Sequence, residues 1–226
     1  KGIMTKVFEN LQPASNGYNL QIDSYDATVY MVANADGLLN LQQMQADGIS
    51  EDKWKATTIG LKENKAANVF TGMLTLNGEN QTSQTLTSKR GVARFDLNVD
   101  VAGTASIESL TIKNVAQSGY LLPQNEGVKS PENVTRKDMT VAFDTPLTAS
   151  TPAVLYVYEQ ENKGLEVSIN AVIDGQPKVL TKALEGNLKR NAIYTITVRK
   201  NDIDIVVKVG IEDWEPGDDT EIIPQL

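Results

Sequence analysis

Apolar and polar residues alternate most regularly in the last third of the chain. Tyr194-Thr195-Ile196-Thr197-Val198 steps between two faces and Asn201-Asp202 breaks the run. Ile203, Ile205, Val207, Val209 and Ile211 then fall on one side. A period of two marks a strand with one buried face, because successive side chains leave opposite sides of a sheet. The pattern predicts a β-hairpin, followed by Trp214-Glu215-Pro216-Gly217 and a tail.

The same reading upstream predicts strands over 17–22 and 27–33, the second rich in β-branched and aromatic residues (Val29, Tyr30, Val32). Asn34-Ala35-Asp36-Gly37 ends that strand and caps a short helix over 38–46, where Leu38, Leu41 and Met44 share a face before Gly48. Strands over 69–76 and 84–87 flank Asn77-Gly78, a tight-turn signal. Residues 91–99 put Ala93, Phe95, Leu97 and Val99 on one side, with Val92, Arg94, Asp96 and Asn98 on the other. Residues 107–115 make the next strand, and the two are expected to pair as a hairpin.

From 119 to 132 the composition turns to Gly, Pro, Asn and Ser, which marks a long loop where the chain is expected to divide. Strands over 139–143, 153–158, 165–173 and 178–180 follow, separated by Asn162-Lys163-Gly164 and by Asp174-Gly175-Gln176-Pro177, whose first pair is a hairpin signal. Many short strands between turn residues, without alternating long helices, predict an all-β protein. The expected architecture is two tandem β-sandwich domains, residues 1–118 and 119–226, with one short helix in the first.

A chain of 226 residues with 40% hydrophobic content can bury a core. Its net charge of -8 argues against a nucleic-acid surface, and Ser88-Lys89-Arg90 is too short a basic stretch to reverse that. No apolar run approaches the roughly 20 residues of a membrane-spanning helix, and the first residues lack a signal-like stretch. Cysteine and histidine are both absent. Thiol nucleophiles, Ser-His-Asp triads and the usual zinc and copper sites are therefore excluded, and no disulfide supplements the core.

The remaining candidates for chemistry are sparse. Trp214, with Tyr194 nearby, and Trp54, flanked by charges in Glu51-Asp52-Lys53-Trp54-Lys55, are candidates for contact with a sugar or partner, although packing is the expected role of both tryptophans. Trp54 is the better candidate exposed contact. Glu212, Asp213, Glu215, Asp218, Asp219 and Glu221 lack the spacing of a calcium loop and read as a solvated acidic tail. Arg94 and Asp96 share one strand face and are expected to form a surface ion pair, and Lys89-Arg90 are polar residues at a strand start. No pattern marks a catalytic, cofactor or metal site, so no enzymatic activity is expected.

Seven segments carry a family resemblance. Val29-Tyr30-Met31-Val32-Ala33-Asn34-Ala35, Ser88-Lys89-Arg90-Gly91-Val92-Ala93-Arg94-Phe95-Asp96-Leu97 and Leu110-Thr111-Ile112-Lys113-Asn114-Val115 come first. Ser118-Gly119-Tyr120-Leu121-Leu122-Pro123, Leu155-Tyr156-Val157-Tyr158-Glu159, Leu188-Lys189-Arg190-Asn191-Ala192-Ile193-Tyr194 and Asp213-Trp214-Glu215 follow. In this order they resemble the fimbrillins, subunits of the type V pili of Bacteroidales, over nearly the whole chain. The resemblance implies transthyretin-like sandwiches, export as a lipoprotein precursor attached at the outer membrane, and display on the cell surface. It further implies proteolytic removal of a first strand and filling of the resulting groove by the C-terminal segment of another subunit. Lys1 without a lipid-bearing cysteine fits a processed form.

The expected function is that of a structural fimbrial subunit that polymerises with other subunits by strand exchange and supports adhesion. Residues 220–226 and the strand before them are the expected donor region, with Ile222, Ile223 and Leu226 filling the groove. Such donation satisfies open-edge backbone groups and buries apolar side chains, and head-to-tail repetition makes filaments. The alternative is a low-copy tip adhesin that binds a host glycan or protein.

Overall fold

The structure is a computed structural model that describes residues 2–12, 17–62, 64–78 and 84–209. Strand β1 (Thr28–Ala33) leads into helices α1 (Leu41–Ala46) and α2 (Glu51–Lys55), then β2 (Thr58–Gly60), β3 (Phe70–Thr75) and β4 (Ser88–Arg90). Next come β5 (Val92–Val99), β6 (Ala105–Ala116), β7 (Ser118–Tyr120), β8 (Arg136–Leu147) and β9 (Thr151–Tyr158). The described chain closes with β10 (Glu166–Ile173), β11 (Gln176–Ala183), β12 (Ala192–Val198) and β13 (Ile203–Val209). Among the described residues the protein is all-β apart from two short helices.

Two four-stranded sheets, β11-β10-β6-β8 and β13-β12-β5-β9, form a sandwich. Phe95, Leu97, Tyr194, Ile196 and Val198 of one sheet and Ile107, Leu110, Ile112, Val167 and Ile169 of the other share a single buried cluster. Each large side chain so removed from water contributes about 1.5–3 kcal/mol. The expected terminal hairpin is β12–β13, registered from Val198↔Ile203 to Ala192↔Val209. Asp174 and Gly175 make a two-residue turn between β10 and β11, both with positive φ (51° and 74°), which a mirror-image hairpin turn requires. Strand β12 also pairs in parallel with β5, which the alternation did not foretell.

Strands β5 and β6 do not form the expected hairpin. They lie in opposite sheets, β5 between β12 and β9, β6 between β10 and β8. Alternation fixes which face is buried, but a short connection serves an arch between sheets as well as a turn within one. The same pairing crosses the expected division at 118/119, since β5 and β6 precede it and their partners follow it. The loop at 121–135 is thus an excursion within one hydrogen-bonded unit. Residues 17–22 form no strand, and the strand expected over 84–87 is displaced to β4.

Residues before β5 gather around a second buried cluster of Trp54, Ile59, Ala66, Val69, Val92, Leu121, Leu122 and Tyr158. A three-stranded sheet, β1-β3-β4, and a two-stranded one, β2-β7, surround it. Helix α1 brings Leu41 and Met44 against this cluster, joined by Leu38 from the preceding turn, as expected, but Asn40 rather than residues 34–37 caps it. Helix α2 is not among the elements the pattern predicts. Ser50 caps it by accepting from the Lys53 N–H, and the helix turns Trp54 inward, edge-on to Tyr30 at 6.0 Å between ring centres.

Candidate assembly surface

Every open sandwich has lateral sides where edge strands leave backbone groups unpaired, and the two sides here differ in chemistry. On the β11/β13 side, Lys182 Nζ lies 2.7 Å from Asp204, and Lys178 Nζ donates at 2.7 Å to the Lys200 carbonyl and to Asn201 Oδ1. The Lys182 ammonium, aided by the Ile205 N–H, holds the Asp204 carboxyl below the usual carboxylate range. Charges spanning the sheets in this way oppose addition of a further strand.

The β8/β9 side is mixed: Lys137, Asp138, Thr140 and Asp144 of β8 are exposed beside half-buried apolar residues. Val141, Phe143 and Leu147 of β8 and Val154 of β9 pack against the core yet stay half-buried. Strand β8 is 12 residues long, and its ladder with β6 slips twice. At the first slip Asn114 takes positive φ and gives its N–H to Asp138. At the second, residues 143–146, including Pro146, bow out between Ser109↔Ala142 and Ile107↔Leu147. Bulges and proline shield part of an edge. The stretch 139–142, which includes Val141, keeps regular pairing to β6 on one side only.

Where the two clusters meet, buried polar groups lock the chain. Arg190 Nε donates to Glu159 at 2.7 Å, and its terminal nitrogens donate to the Tyr120 and Leu121 carbonyls at 3.1 Å each. Their side chains are only 9% and 11% exposed. Beside them the wholly buried Gln160 accepts from the Ala116 N–H and from Arg136, while Ser130 accepts from Arg136 and from the Glu161 N–H. The Tyr194 hydroxyl donates to the Asn187 carbonyl and accepts from the Lys189 N–H, and burial pushes its pKa up.

The residues singled out in the sequence meet different fates. Trp54 is 5% exposed, so its reading as an exposed contact gives way to packing: α2 places it in the second cluster. Tyr194 stacks on Phe95 inside the sandwich and cannot meet a sugar. Arg94 clasps Asp96 through two 2.7 Å hydrogen bonds, and Asp96 also accepts from the Ala153 N–H, where Ala153 holds φ of 57°. The pair therefore fastens the irregular start of β9. The Arg90 guanidinium lies over the Phe70 ring at 4.4 Å. Trp214, the acidic run and Ile222, Ile223 and Leu226 lie outside the described residues. The lysines on β11 and the Arg190–Glu159 pair went unremarked in the sequence; only the conjunction of Glu159 and Arg190 with two of the quoted segments hinted at the latter.

The family model described as fimbrillin-A associated anchor proteins Mfa1 and Mfa2 matches residues 3–220. No curated protein matches the chain in sequence. Among solved structures, the tip fimbrial protein Mfa3 from Porphyromonas gingivalis, with a C-terminal truncation, superposes with a TM-score of 0.57 at 11% identity, over 80% of this chain and 78% of that one. A candidate cell adhesion protein from Parabacteroides distasonis gives 0.54 at 14% identity over 79% and 73%, and another from Bacteroides eggerthii 0.53 at 14% over 80% and 76%. These likenesses show a shared fold. With the family model spanning nearly all of the sequence, the chain belongs to the family of fimbrillin-A associated anchor proteins Mfa1 and Mfa2, and is a fimbria-associated protein of the cell surface.

Proposed function

We propose that the protein is a structural subunit that joins its fimbrial neighbours by strand addition. The observation that carries this reading is the asymmetry of the sandwich. The β11/β13 side is closed by lysines, whereas the β8/β9 side offers a one-sided ladder above half-buried Val141 and Phe143. An added strand there gains ladder hydrogen bonds and covers apolar surface together. In this reading the donor is residues 220–226 of another subunit, with Ile222, Ile223 and Leu226 as its apolar contacts. The sandwich of β5, β6 and β8–β13 is the transthyretin-like unit, the smaller part before β5 is a second one, and surface attachment comes through a lipidated precursor.

The absence of cysteine makes the test clean. Subunits bearing Ile223→Cys are mixed with subunits bearing Ala142→Cys, on the exposed face of β8, or Val179→Cys, on β11, and oxidised. Dimers are expected with the β8 partner alone. Cross-linking through Val179 would move the acceptor to the other side, and Ile222→Asp with Ile223→Asp should abolish SDS-resistant ladders while leaving the monomer folded.

A further inference from the structure

A second concave feature lies away from the open edge. A groove of about 650 Å³ runs between the β2-β7 ribbon and the loop leading into β8. Thr58 of β2, Ser118 and Tyr120 of β7, and Glu132, Asn133 and Thr135 of the loop line it. Among the described residues none of these six side chains makes a hydrogen bond within the protein. The groove is open to solvent, and its wall offers donors and acceptors that the fold itself does not use.

The frame behind those side chains is fixed. Thr58 and Tyr120 are register partners, the Gln117 N–H donates to the Thr135 carbonyl at 2.9 Å, and the Tyr120 carbonyl is held by buried Arg190. Asn133 sits at positive φ (55°) in a turn closed by the Val134 N–H on the Pro131 carbonyl. Ser130, just upstream, is pinned by Arg136 and Glu161. These contacts fix the backbone from which the lining side chains project, so the spacing of the groups offered to a ligand is set by the fold.

We propose that this groove binds a short neutral saccharide. Hydroxyl-rich ligands need donors and acceptors interleaved: Asn133 supplies both, Glu132 accepts, and the four hydroxyls do either. Tyr120 adds an aromatic surface with a polar tip, suited to a ligand that is apolar on one face and wet on the other. No lysine or arginine lines the groove, and Glu132 is its one formal charge, so sialylated, sulfated and phosphorylated ligands are disfavoured. This inference is independent of strand addition.

The test uses the full chain on an array of neutral and sialylated glycans, followed by calorimetric titration of the strongest neutral ligand. Neutral glycans are expected to bind, and Tyr120→Ala and Asn133→Asp each to lower affinity tenfold or more. Asn133→Asp is exposed and tolerates positive φ, so its thermal unfolding should match the parent's even if Tyr120→Ala loses stability. Silence across the array, preference for sialylated glycans, binding of extended peptides in place of sugars, or undiminished affinity of Asn133→Asp would each overturn the assignment. Cross-linking between residues 142 and 223 should proceed equally in both variants, which separates failure here from failure of the assembly reading.

Discussion

Replacing Arg190 by methionine should cost the fold about 3–5 kcal/mol, the usual penalty for breaking a buried ion pair by removing one partner. The side chain makes three hydrogen bonds, to Glu159 at 2.7 Å and to two carbonyls at 3.1 Å. Without it the Glu159 carboxylate, 11% exposed, retains only a 3.4 Å contact from the residue 190 backbone N–H. Desolvation of that carboxylate is then uncompensated, which is the larger part of the cost. Removing the charge as well, in Glu159→Leu with Arg190→Met, should recover at least about 2 kcal/mol, leaving the cost of two carbonyls without their donor. Urea unfolding followed by circular dichroism and tryptophan fluorescence measures all four corners of the cycle. Because Arg190 ties β12's approach to residues 120 and 121, both signals should shift together. A loss below about 1 kcal/mol in Arg190→Met, or a double variant equal to the sum of the singles, would refute the reasoning.

Other expectations follow from single contacts. Gly119→Ala would place a Cβ 2.6 Å from the Cβ of buried Tyr158, and should destabilise by about 1–3 kcal/mol in the same urea assay. Trp54→Ala empties the second cluster and should cost about 3–5 kcal/mol, read as an earlier thermal transition. Asp204 has its pKa lowered by Lys182, so its share of stability is fully present above the ordinary carboxylate value of about 4 and is lost as pH falls through the lowered folded value. Amide exchange in β13 should accelerate over that acid window, and Asp204→Asn should remove the pH dependence; exchange that is unchanged on acidification would count against the lysine seal.

Local chemistry was legible where the sequence carries its own constraint. The β12–β13 alternation and the Asp174-Gly175 turn each specify geometry within a few residues, and both appear in the structure. What the sequence could not convey was partnership between distant segments. Val92, Ala93, Phe95 and Leu97 are buried on both sides of β5 because β12, β9 and the second cluster surround it, a fact set by residues roughly 20–100 positions away. Gly, Pro and Ser in 119–132 declare a loop, but nothing in them tells that the ladders of β5 and β6 continue across it. Helix α2 spans five residues, too few for a periodic signal. For the proposed saccharide groove, Thr58, Tyr120 and Asn133 come together only through β2-β7 pairing, so no spacing announced it.

The parallel alignment of β5 with β12 also bears on how the chain reaches its native state. Arg94 and Ile193 are register partners about 100 positions apart, so the middle of one sheet cannot close until most of the polypeptide is at hand. Contacts of such high order place folding in the millisecond-to-second regime typical of sandwiches, and every shortened chain ending before residue 192 would leave β5 with a vacant flank. Late closure means that the sandwich becomes rigid only once its last strands are in place.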